Sequence, residues 1–431
     1  MRYIEISGET SLRGKVRAPG SKNSSLALLS AACLAEEPVE ISGVPMIRDV
    51  RVMADIMRKI GFRLDRSPDG TVTVARTGPV SGELDLHLSS SYRASYYFIG
   101  ALLARTGRVT VGYPGGDDFV SRPIDQHLKA FEAMGAKVEL HETHYTVTAG
   151  RLAGADIFFD VITSGATMNA MMAAVLAKGT TVLRNAAVDP EVVDLANFLN
   201  MLGAKIRGAG TSEIRIEGVD SLGGGRHAVI PDRLIAGSFL AAAAATRGRV
   251  TVEGVIPEHL RSALIKLREA GLEPVVRDQS VELDGDVPLH ALRIRTAMYP
   301  GFATDLQQPF TAMLLRAPGR SLVTDKVFPK RFSHVEQLVR MGARIDLKGS
   351  TAVIQGGEPL HGEWVHASEI RAGFCLLIAG LMARGVTRLS GVEHLERGCE
   401  DVIGAFRALG ADLRLSEDKE LERHLARQHS I

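Results

Sequence analysis

The segments MGAKVEL at residues 134–140 and MGARIDL at residues 341–347 share one pattern, in which an apolar helix ends at a glycine and a strand follows. A glycine directly after the last helical residue favours the left-handed conformation that stops a helix. The pattern occurs six times, at Gly61, Gly135, Gly203, Gly271, Gly342 and Gly410. The spacings between these glycines are 74, 68, 68, 71 and 68 residues. The chain is therefore predicted to contain six structural repeats.

Each repeat contains two further elements upstream of its glycine. About 30 residues earlier lies a β-rich run such as RVTVGY at residues 108–113, and a helix rich in small apolar residues precedes such runs, for example FLAAAAA at residues 239–245. One repeat is thus predicted to be helix, strand, helix and strand, followed by a further alternating segment. Because such repeats cannot bury their helices alone, two sets of three are expected to pack their first helices inward, with strands forming outer sheets. The alternative is a repeat protein that only presents a binding surface.

The boundary between the two sets is predicted near residues 229–232, just before the fourth repeat. A chain of 431 residues exceeds what one core usually supports, which also favours two domains. The glycine-rich segment GGGRHAV at residues 223–229 lacks a phosphate-loop pattern and is interpreted as an inter-domain linker. The N-terminal strand is expected to join the second set.

Composition and charge exclude several classes of protein. The 51 Lys and Arg nearly balance the 50 Asp and Glu, so neither nucleic acid nor an acidic membrane surface is expected as a partner. The N-terminus lacks a signal-peptide pattern and no apolar stretch reaches the roughly 20 residues of a membrane span, so a cytoplasmic location is expected. The three cysteines, Cys33, Cys375 and Cys399, share no metal-ligand spacing and are interpreted as buried thiols. No metal site and no cofactor are predicted.

Cations recur near the starts of the predicted helices. A cation in the first turn opposes the helix dipole by roughly 0.3–1 kcal/mol, whereas a bound anion would reverse the sign of this effect. The first helices of the repeats carry Lys22, Arg93, Arg233 and Arg371 there. The second helices carry Arg48, Arg122, Arg331 and Arg397 near their starts. If these helix starts converge, they form a site for a phosphate or carboxylate, although any one of them alone is compatible with a solvated surface residue.

Two acidic features stand out among these cations. Asp305 follows Thr304 at the opening of a helix, where it is either a functional carboxylate or an N-cap. Asp117 and Asp118 lie in GYPGGDDFVSRP, residues 112–123, whose glycines and prolines predict a loop long enough to act as a lid. Ordinary turn chemistry would also account for these two acids.

Six longer motifs are informative in combination. They are PGSKN at residues 19–23, NAAVDPEVVDLANFL at 185–199, PDRLIAGSF at 231–239, ATDLQQPF at 303–310, KRFSHVEQLVRMGA at 330–343 and ERGCEDVIGAFRALGA at 396–411. Together they resemble the UDP-N-acetylglucosamine enolpyruvyl transferases of the enolpyruvyl transferase family, with similarity from about residue 3 to residue 415. The resemblance implies an inside-out α/β barrel with two domains that close over the substrates. These would be residues 22–230, with the lid at about residues 112–123, and residues 1–21 plus 231–431, each with three βαβαββ repeats.

The resemblance also implies a reaction, the transfer of the enolpyruvyl group of phosphoenolpyruvate to the 3-hydroxyl of UDP-N-acetylglucosamine with release of phosphate. The residues implied in catalysis are Asp117, Asp305, Lys22 and Arg397. Those implied to bind phosphoenolpyruvate are Lys22, Arg122 and Arg397 at its phosphate and Arg331 and Arg371 at its carboxylate. Those implied to bind the nucleotide sugar are Asn23, Arg93, Arg122, Pro123, Ile124, Asp125, Gln126, Thr163, Ser164, Gly165, Thr304, Asp305 and Val327. Asp305 would be the base at the 3-hydroxyl.

The chain departs from the family pattern at the lid and near the sugar. Asp117 occupies the position of the usual lid cysteine, and because a carboxylate is a far poorer soft nucleophile than a thiolate, resistance to the epoxide fosfomycin is predicted. Tyr97 stands where Trp is common and Ser164 where an aliphatic residue is usual, which leaves open a paralogue that acts on another uridine nucleotide such as UMP. The intact set of phosphoenolpyruvate residues disfavours a non-catalytic relative.

A shikimate-pathway enzyme is disfavoured because the motifs at residues 121–127 and 185–194 match the uridine-sugar branch. The sequence leaves open whether Asp117 or Asp118 is the lid acid. It also does not determine the oligomeric state or the order of residues 416–431.

Overall fold

The computed structural model describes residues 2–91, 93–113 and 123–417 and has an α/β fold. The chain divides into two compact units. We call Gly20–Pro231 the middle unit, and Met1–Pro19 together with Asp232–Ile431 the terminal unit. No helix among the described residues is both long and apolar enough to cross a membrane.

The helices of the described residues share their order with the repeats. They are α1 (Lys22–Ala32), α2 (Arg48–Lys59), α3 (Leu86–Ser91), α4 (Phe98–Thr106), α5 (Asp125–Ala133), α6 (Ser164–Ala174), α7 (Pro190–Met201), α8 (Arg233–Ala245), α9 (Arg261–Glu269), α10 (Thr304–Leu314), α11 (Ser333–Arg340), α12 (Ile370–Met382), α13 (Val392–Glu396) and α14 (Val402–Ala408). Short 3-10 helices cover Arg93–Tyr97 and Pro257–Leu260.

The strands of the described residues are short, as expected for the outer layer of a repeat. They are β1 (Arg2–Ser7), β2 (Arg13–Arg17), β3 (Val39–Ser42), β4 (Phe62–Arg66), β5 (Val72–Arg76), β6 (Arg108–Gly112), β7 (Lys137–Leu140), β8 (His144–Thr148), β9 (Asp156–Phe158), β10 (Thr180–Arg184), β11 (Lys205–Arg207), β12 (Glu213–Glu217), β13 (Gly225–Ala228), β14 (Arg249–Glu253), β15 (Val275–Arg277), β16 (Ser280–Asp284), β17 (Arg293–Arg295), β18 (Gly319–Thr324), β19 (Arg344–Lys348), β20 (Thr351–Gly356), β21 (Trp364–His366), β22 (Val386–Ser390) and β23 (Leu413–Glu417).

Each unit contains three of these sheets. In the terminal unit the strand orders are β15-β16-β14-β2, β17-β18-β20-β19 and β21-β22-β1-β23, and in the middle unit β13-β3-β5-β4, β6-β8-β7 and β11-β12-β10-β9. The run β17, α10, β18, α11, β19, β20 is a complete βαβαββ repeat whose four strands form one sheet. The predicted α/β architecture of βαβαββ repeats is confirmed.

Strands distant in sequence complete several of the sheets. β2 pairs in parallel with β14, although the whole middle unit lies between them in sequence, and β1 pairs with both β22 and β23. Likewise β13 pairs in parallel with β3. The interpretation of residues 223–229 as a linker is therefore wrong for most of the segment, because four of these residues satisfy the backbone groups along one side of β3.

The first helix of each repeat supplies the core, as predicted. In the terminal unit, α8, α10 and α12 contact one another, and α8 buries every residue except Arg233. In the middle unit, α4 and α6 approach so closely that a Cβ on Gly100 would lie 2.1 Å from the carbonyl oxygen of Asn169. All six repeat glycines have positive φ, from 91° at Gly135 to 108° at Gly203, so the predicted helix stops are confirmed.

Candidate active site

The accessible ends of the core helices carry most of the predicted functional residues. In α1 every residue after Asn23 is buried, in α6 every residue after Gly165, and in α10 every residue after Asp305. The first turn of such a helix offers free backbone N–H groups and the positive end of the helix dipole. A ligand that reaches these helices therefore meets their first residues.

In the terminal unit, Asp305 lies between two arginines. Arg331 donates to one of its carboxylate oxygens through Nη1. Arg371 donates to the other oxygen through Nε at 3.2 Å, and its Nη2 lies 3.1 Å from the same oxygen. The helix-capping position is taken by Ala303, so the alternative interpretation of Asp305 as an N-cap is wrong. The structure thus brings together three of the predicted residues.

Glu369 completes this cluster and was not singled out from the sequence. Its two carboxylate oxygens accept from Nε and Nη2 of Arg331 at 2.7 and 2.6 Å. Gln308 donates to it at 2.6 Å, and the backbone N–H of Arg371 does so at 3.4 Å. Burial opposes the charge of Arg331, but the carboxylates of Asp305 and Glu369 outweigh this effect and raise its pKa above the ordinary value. Two acids and two bases therefore form one charge-balanced group.

Arg371 retains donor capacity within this group. Its side chain is only 6 % exposed, yet Nη1 has no hydrogen-bond partner in the described part of the chain. A buried donor without a partner costs about 1–3 kcal/mol, which a ligand with a suitable acceptor would recover. The geometry therefore favours an anionic ligand at Arg371.

A second buried carboxylate supports the same helix start. Asp325 accepts from the hydroxyl of Thr304 at 2.6 Å and from that of Thr296 at 2.7 Å. It also accepts from the backbone N–H groups of Val327 and Phe328 at 3.0 and 2.8 Å. Two residues with predicted sugar contacts, Thr304 and Val327, are thus attached to one side chain that the sequence analysis missed.

His334 lies beside the cluster at the start of α11. It is fully buried, and burial followed by the positive charge of Arg331 lowers its pKa to about 3. Neither ring nitrogen has a hydrogen-bond partner among the described residues, and the ring stacks on Phe332 with centroids 6.0 Å apart. The imidazole is therefore neutral at physiological pH.

Two other predicted cations of the terminal unit have different settings. Arg397 was expected near a helix start, and this is wrong, because it is the C-cap of α13 and precedes α14 by five residues. Gly398 follows it, and Asp401 instead caps α14 by accepting from the N–H of Gly404 at 2.8 Å. Arg233 is the first residue of α8, as expected, and its guanidinium lies 5.1 Å from the ring centroid of Tyr299.

In the middle unit, the predicted phosphate ligand Lys22 is the first residue of α1 and Asn23 the second. The ammonium group of Lys22 lies 2.5 Å from the carboxylate of Asp49, which is buried in α2. Asp49 follows Arg48, the first residue of that helix, and nothing in its local sequence separates it from an acid that complements the helix dipole. The structure thus adds Asp49 as a partner of Lys22.

A further buried carboxylate, Asp194, lies behind the start of α1. It accepts from the hydroxyl of Ser24 and contacts His227 Nε2 at 2.7 Å through its other oxygen. Ser24 is the third residue of α1 and His227 belongs to β13. Asp194 therefore connects the helix that carries Lys22 with the last strand of the middle unit.

The remaining predicted nucleotide residues of the middle unit fall at two helix starts. Ile124 is the N-cap of α5, preceded by the exposed Pro123, and Asp125 and Gln126 open that helix. Gln126 is buried and both donates to and accepts from Asp160, with its Oε1 2.9 Å from the backbone nitrogen.

Thr163 is the N-cap of α6, and Ser164 and Gly165 open it. The hydroxyl of Ser164 donates to Asp189 at 2.9 Å. Tyr97, the other sugar-side departure, is buried and its ring stacks on Tyr96 with centroids 4.5 Å apart.

Several predictions fall on residues outside the described part of the chain. These are the lid acids Asp117 and Asp118, most of the lid at residues 112–123, Arg122, the side chain of Arg93 and the tail beyond Glu417. Residues 416 and 417 end β23.

The prediction of buried thiols is confirmed for all three cysteines. Cys33, Cys375 and Cys399 are free and buried. Burial raises the pKa of each thiol, to about 12 at Cys399.

Comparison with known proteins places this arrangement in a family. Residues 6–406 match the family described as EPSP synthase (3-phosphoshikimate 1-carboxyvinyltransferase). The chain is 45% identical to UDP-N-acetylglucosamine 1-carboxyvinyltransferase 2 of Bacillus anthracis, over 96% of each chain. It is 44% identical to the protein of the same name from Bacillus subtilis (strain 168), over 98% of this chain and 99% of that one.

Solved structures agree. The enolpyruvyl transferase NikO from Streptomyces tendae has a TM-score of 0.88 at 27% identity, covering 96% of this chain and 99% of its own. An EPSP synthase from Acinetobacter baumannii shares the fold, with a TM-score of 0.76 at 19% identity over 97% of this chain and all of its own. The chain therefore belongs to the EPSP synthase family of 1-carboxyvinyl transferases and is an enolpyruvyl transferase.

Proposed function

We propose that this enzyme transfers the enolpyruvyl group of phosphoenolpyruvate to the 3-hydroxyl of UDP-N-acetylglucosamine and releases phosphate. The observation that carries the proposal is the buried group of Asp305, Arg331, Arg371 and Glu369, in which a carboxylate base stands beside an arginine with an unused donor. The choice of acceptor is supported by the 44–45% identity to relatives named for UDP-N-acetylglucosamine, against 27% to NikO.

In this proposal the carboxylate of phosphoenolpyruvate binds at Arg371 and Arg331. Nη1 of Arg371 supplies the donor for which the described residues offer no acceptor. Most donors of Arg331 already contact Glu369, Asp305 and Thr304, so its main contribution is a fixed positive charge rather than several new hydrogen bonds. Glu369 holds that guanidinium in place through a two-point contact.

The phosphate of phosphoenolpyruvate is proposed to bind at Lys22, Arg122 and Arg397. Lys22 fits this role because it opens α1, where the helix dipole also favours an anion. Its ion pair with Asp49 keeps the ammonium group at the helix start while it awaits the phosphate.

The chemistry is addition followed by elimination. Asp305 takes the proton of the 3-hydroxyl as its oxygen bonds to carbon 2 of phosphoenolpyruvate, and carbon 3 gains a proton to become a methyl group. The resulting tetrahedral ketal then loses a proton from that methyl group and expels phosphate, which restores the double bond in the product. Arginine and lysine charges stabilise the anionic groups throughout, and exclusion of water would strengthen these contacts.

The acid that protonates carbon 3 is proposed to be Asp117 or its neighbour Asp118, on the basis of the family resemblance. Without a lid thiol, fosfomycin has no soft nucleophile to alkylate there. Because every cysteine of the chain is buried, the enzyme is proposed to resist this epoxide.

The nucleotide sugar is proposed to bind through the residues at four helix starts and the adjoining loops. These are Asn23, Arg93, Arg122, Pro123, Ile124, Asp125, Gln126, Thr163, Ser164, Gly165, Thr304, Asp305 and Val327. The product would feed peptidoglycan precursor synthesis in the cytoplasm, and through it cell wall formation, cell shape and division.

The test is phosphate release by purified enzyme from phosphoenolpyruvate with UDP-N-acetylglucosamine, UDP-glucose or UMP as acceptor. Turnover with UDP-N-acetylglucosamine that Asp305→Asn abolishes is the expected result. Turnover with UMP alone would transfer the function to a different acceptor, and silence with all three would contradict the proposal.

A further inference from the structure

Asp325 is a fully buried carboxylate whose oxygens have unequal surroundings. Oδ1 accepts three hydrogen bonds, from the hydroxyl of Thr296 and the backbone N–H groups of Val327 and Phe328. Oδ2 accepts from Thr304 Oγ1 at 2.6 Å. Two hydroxyls and two amides converge here, and a carboxylate satisfies all four donors because it only accepts.

This contact fixes the direction in which Thr304 can bond. A hydroxyl has one donor proton and two acceptor lone pairs. The proton of Thr304 is committed to Asp325, and one lone pair faces Arg331 Nη1 at 3.4 Å. What remains for a ligand is one lone pair, so Thr304 is an acceptor and recognises an N–H or O–H donor.

The same carboxylate also orients the loop after β18. Oδ1 holds the backbone of Val327 and Phe328 and, through Thr296, the residue that follows β17. Thr296 Oγ1 in turn accepts from the N–H of Lys326 at 2.9 Å. The helix start with Thr304 and the loop with Val327 therefore move as one piece.

We propose that Asp325 is a positioning residue that sets the specificity of the sugar site by holding Thr304 as a hydrogen-bond acceptor for an N–H or O–H group of the acceptor sugar. This inference rests on the proposed function, since it assigns Thr304 to the nucleotide sugar and not to phosphoenolpyruvate. A glycosyl group with only an acceptor at that point would be rejected, because its lone pairs would oppose those of Thr304.

Asp325→Asn isolates the contact. Its amide oxygen can replace Oδ1 and keep the bonds to Thr296, Val327 and Phe328. Its NH₂ group then donates to Thr304, so that the threonine proton turns outward and Thr304 becomes a donor. The enzyme should keep its KM for phosphoenolpyruvate, whereas the KM for UDP-N-acetylglucosamine should rise roughly tenfold or more.

Ser321→Ala is the matched control. Ser321 is buried on β18 and accepts from the N–H of Leu292 at 3.1 Å, so its loss removes one buried hydrogen bond from the strand that leads to Asp325. It should leave both KM values unchanged.

Thr304→Ala provides an independent variant that retains the three contacts of Oδ1. It should raise the same KM, and adding Asp325→Asn to it should have no further effect on that KM. Equal rises in both KM values, an unchanged KM for the sugar in either single variant, or an additive double variant would overturn the positioning role. Absence of turnover in the unmodified enzyme would instead overturn the proposed function itself.

Discussion

The same repeat carries charged residues at its helix starts in the terminal unit and fewer of them in the middle unit. In the terminal unit, Asp305, Arg331, Glu369 and Arg371 form one network of buried ion pairs. In the described part of the middle unit, Lys22 pairs with Asp49, and Ser164 opens α6 with a neutral hydroxyl. The backbone is shared, so the difference lies in a few side chains.

This comparison teaches where function and stability are coupled. Each member of the four-residue network is compensated by the others, so removing one leaves a buried charge without its partner. The ion pair of the middle unit lies nearer to solvent, with the Lys22 side chain 13% exposed against 4% for Arg331. Equivalent substitutions should therefore cost more in the terminal unit.

The largest difference between the units should appear in the rate of the reaction. Asp305→Asn preserves the shape of the side chain but cannot accept the proton, and loss of a general base lowers kcat about 10²–10⁴-fold. Ser164→Ala, at the start of α6, removes one hydrogen bond to Asp189 and should change kcat/KM by less than about tenfold. Steady-state phosphate release measures both variants. Equal losses would show that the two helix starts contribute alike.

The second difference concerns stability. Glu369→Gln removes the charge that faces Arg331 at two points and should lower the free energy of unfolding by about 3–5 kcal/mol. Asp49→Asn leaves Lys22 with a flexible stem that can reach water, and should cost only about 1–3 kcal/mol. Urea unfolding followed by circular dichroism measures the two values. A larger loss in Asp49→Asn would reverse the comparison.

A third difference should be visible as a pH dependence. His334 in the terminal unit has a pKa of about 3 when folded, below the value of about 6.5 in an unfolded chain. Its neutral form stabilises the fold above about pH 6.5, and this stability is lost as the pH falls towards 3, by up to about 1.4 kcal/mol per pH unit. His334→Phe should flatten that part of the stability curve.

The matched control for His334 is His141→Phe, on an exposed turn of the middle unit. Chemical denaturation at a series of pH values compares the two variants. A slope that persists in His334→Phe and disappears in His141→Phe would assign the acid sensitivity to the wrong unit.

The smallest expected effect is common to both units. Cys33 lies in the middle unit and Cys375 and Cys399 in the terminal unit, and all three are buried with raised thiol pKa values. Fosfomycin and iodoacetamide should leave the activity of the native enzyme unchanged. Mass spectrometry should find labelled cysteines only after unfolding. Labelling of one cysteine in the native enzyme would identify a unit that opens locally.

The sequence by itself determined the repeat, its helix stops and the buried face of each core helix. Gly135 and its five equivalents mark helix ends because positive φ favours glycine, and the small apolar residues of α8 mark the interior because burial leaves no alternative for them. These are local signals, and they need no knowledge of which segments meet. Lys22, Asp305 and Arg371 also stood out locally, as charges at helix starts.

Only the tertiary structure decided how those charges are paired. Glu369 lies two residues before Arg371 and reads locally as a helix cap, yet its carboxylate holds Arg331, 38 residues away in sequence. Asp325 contacts Thr296 and Thr304, which lie 29 and 21 residues before it, and β13 forms a strand only because β3 is beside it. Such contacts depend on distances between separate elements, and hydrophobic periodicity reports only which face of an element is buried.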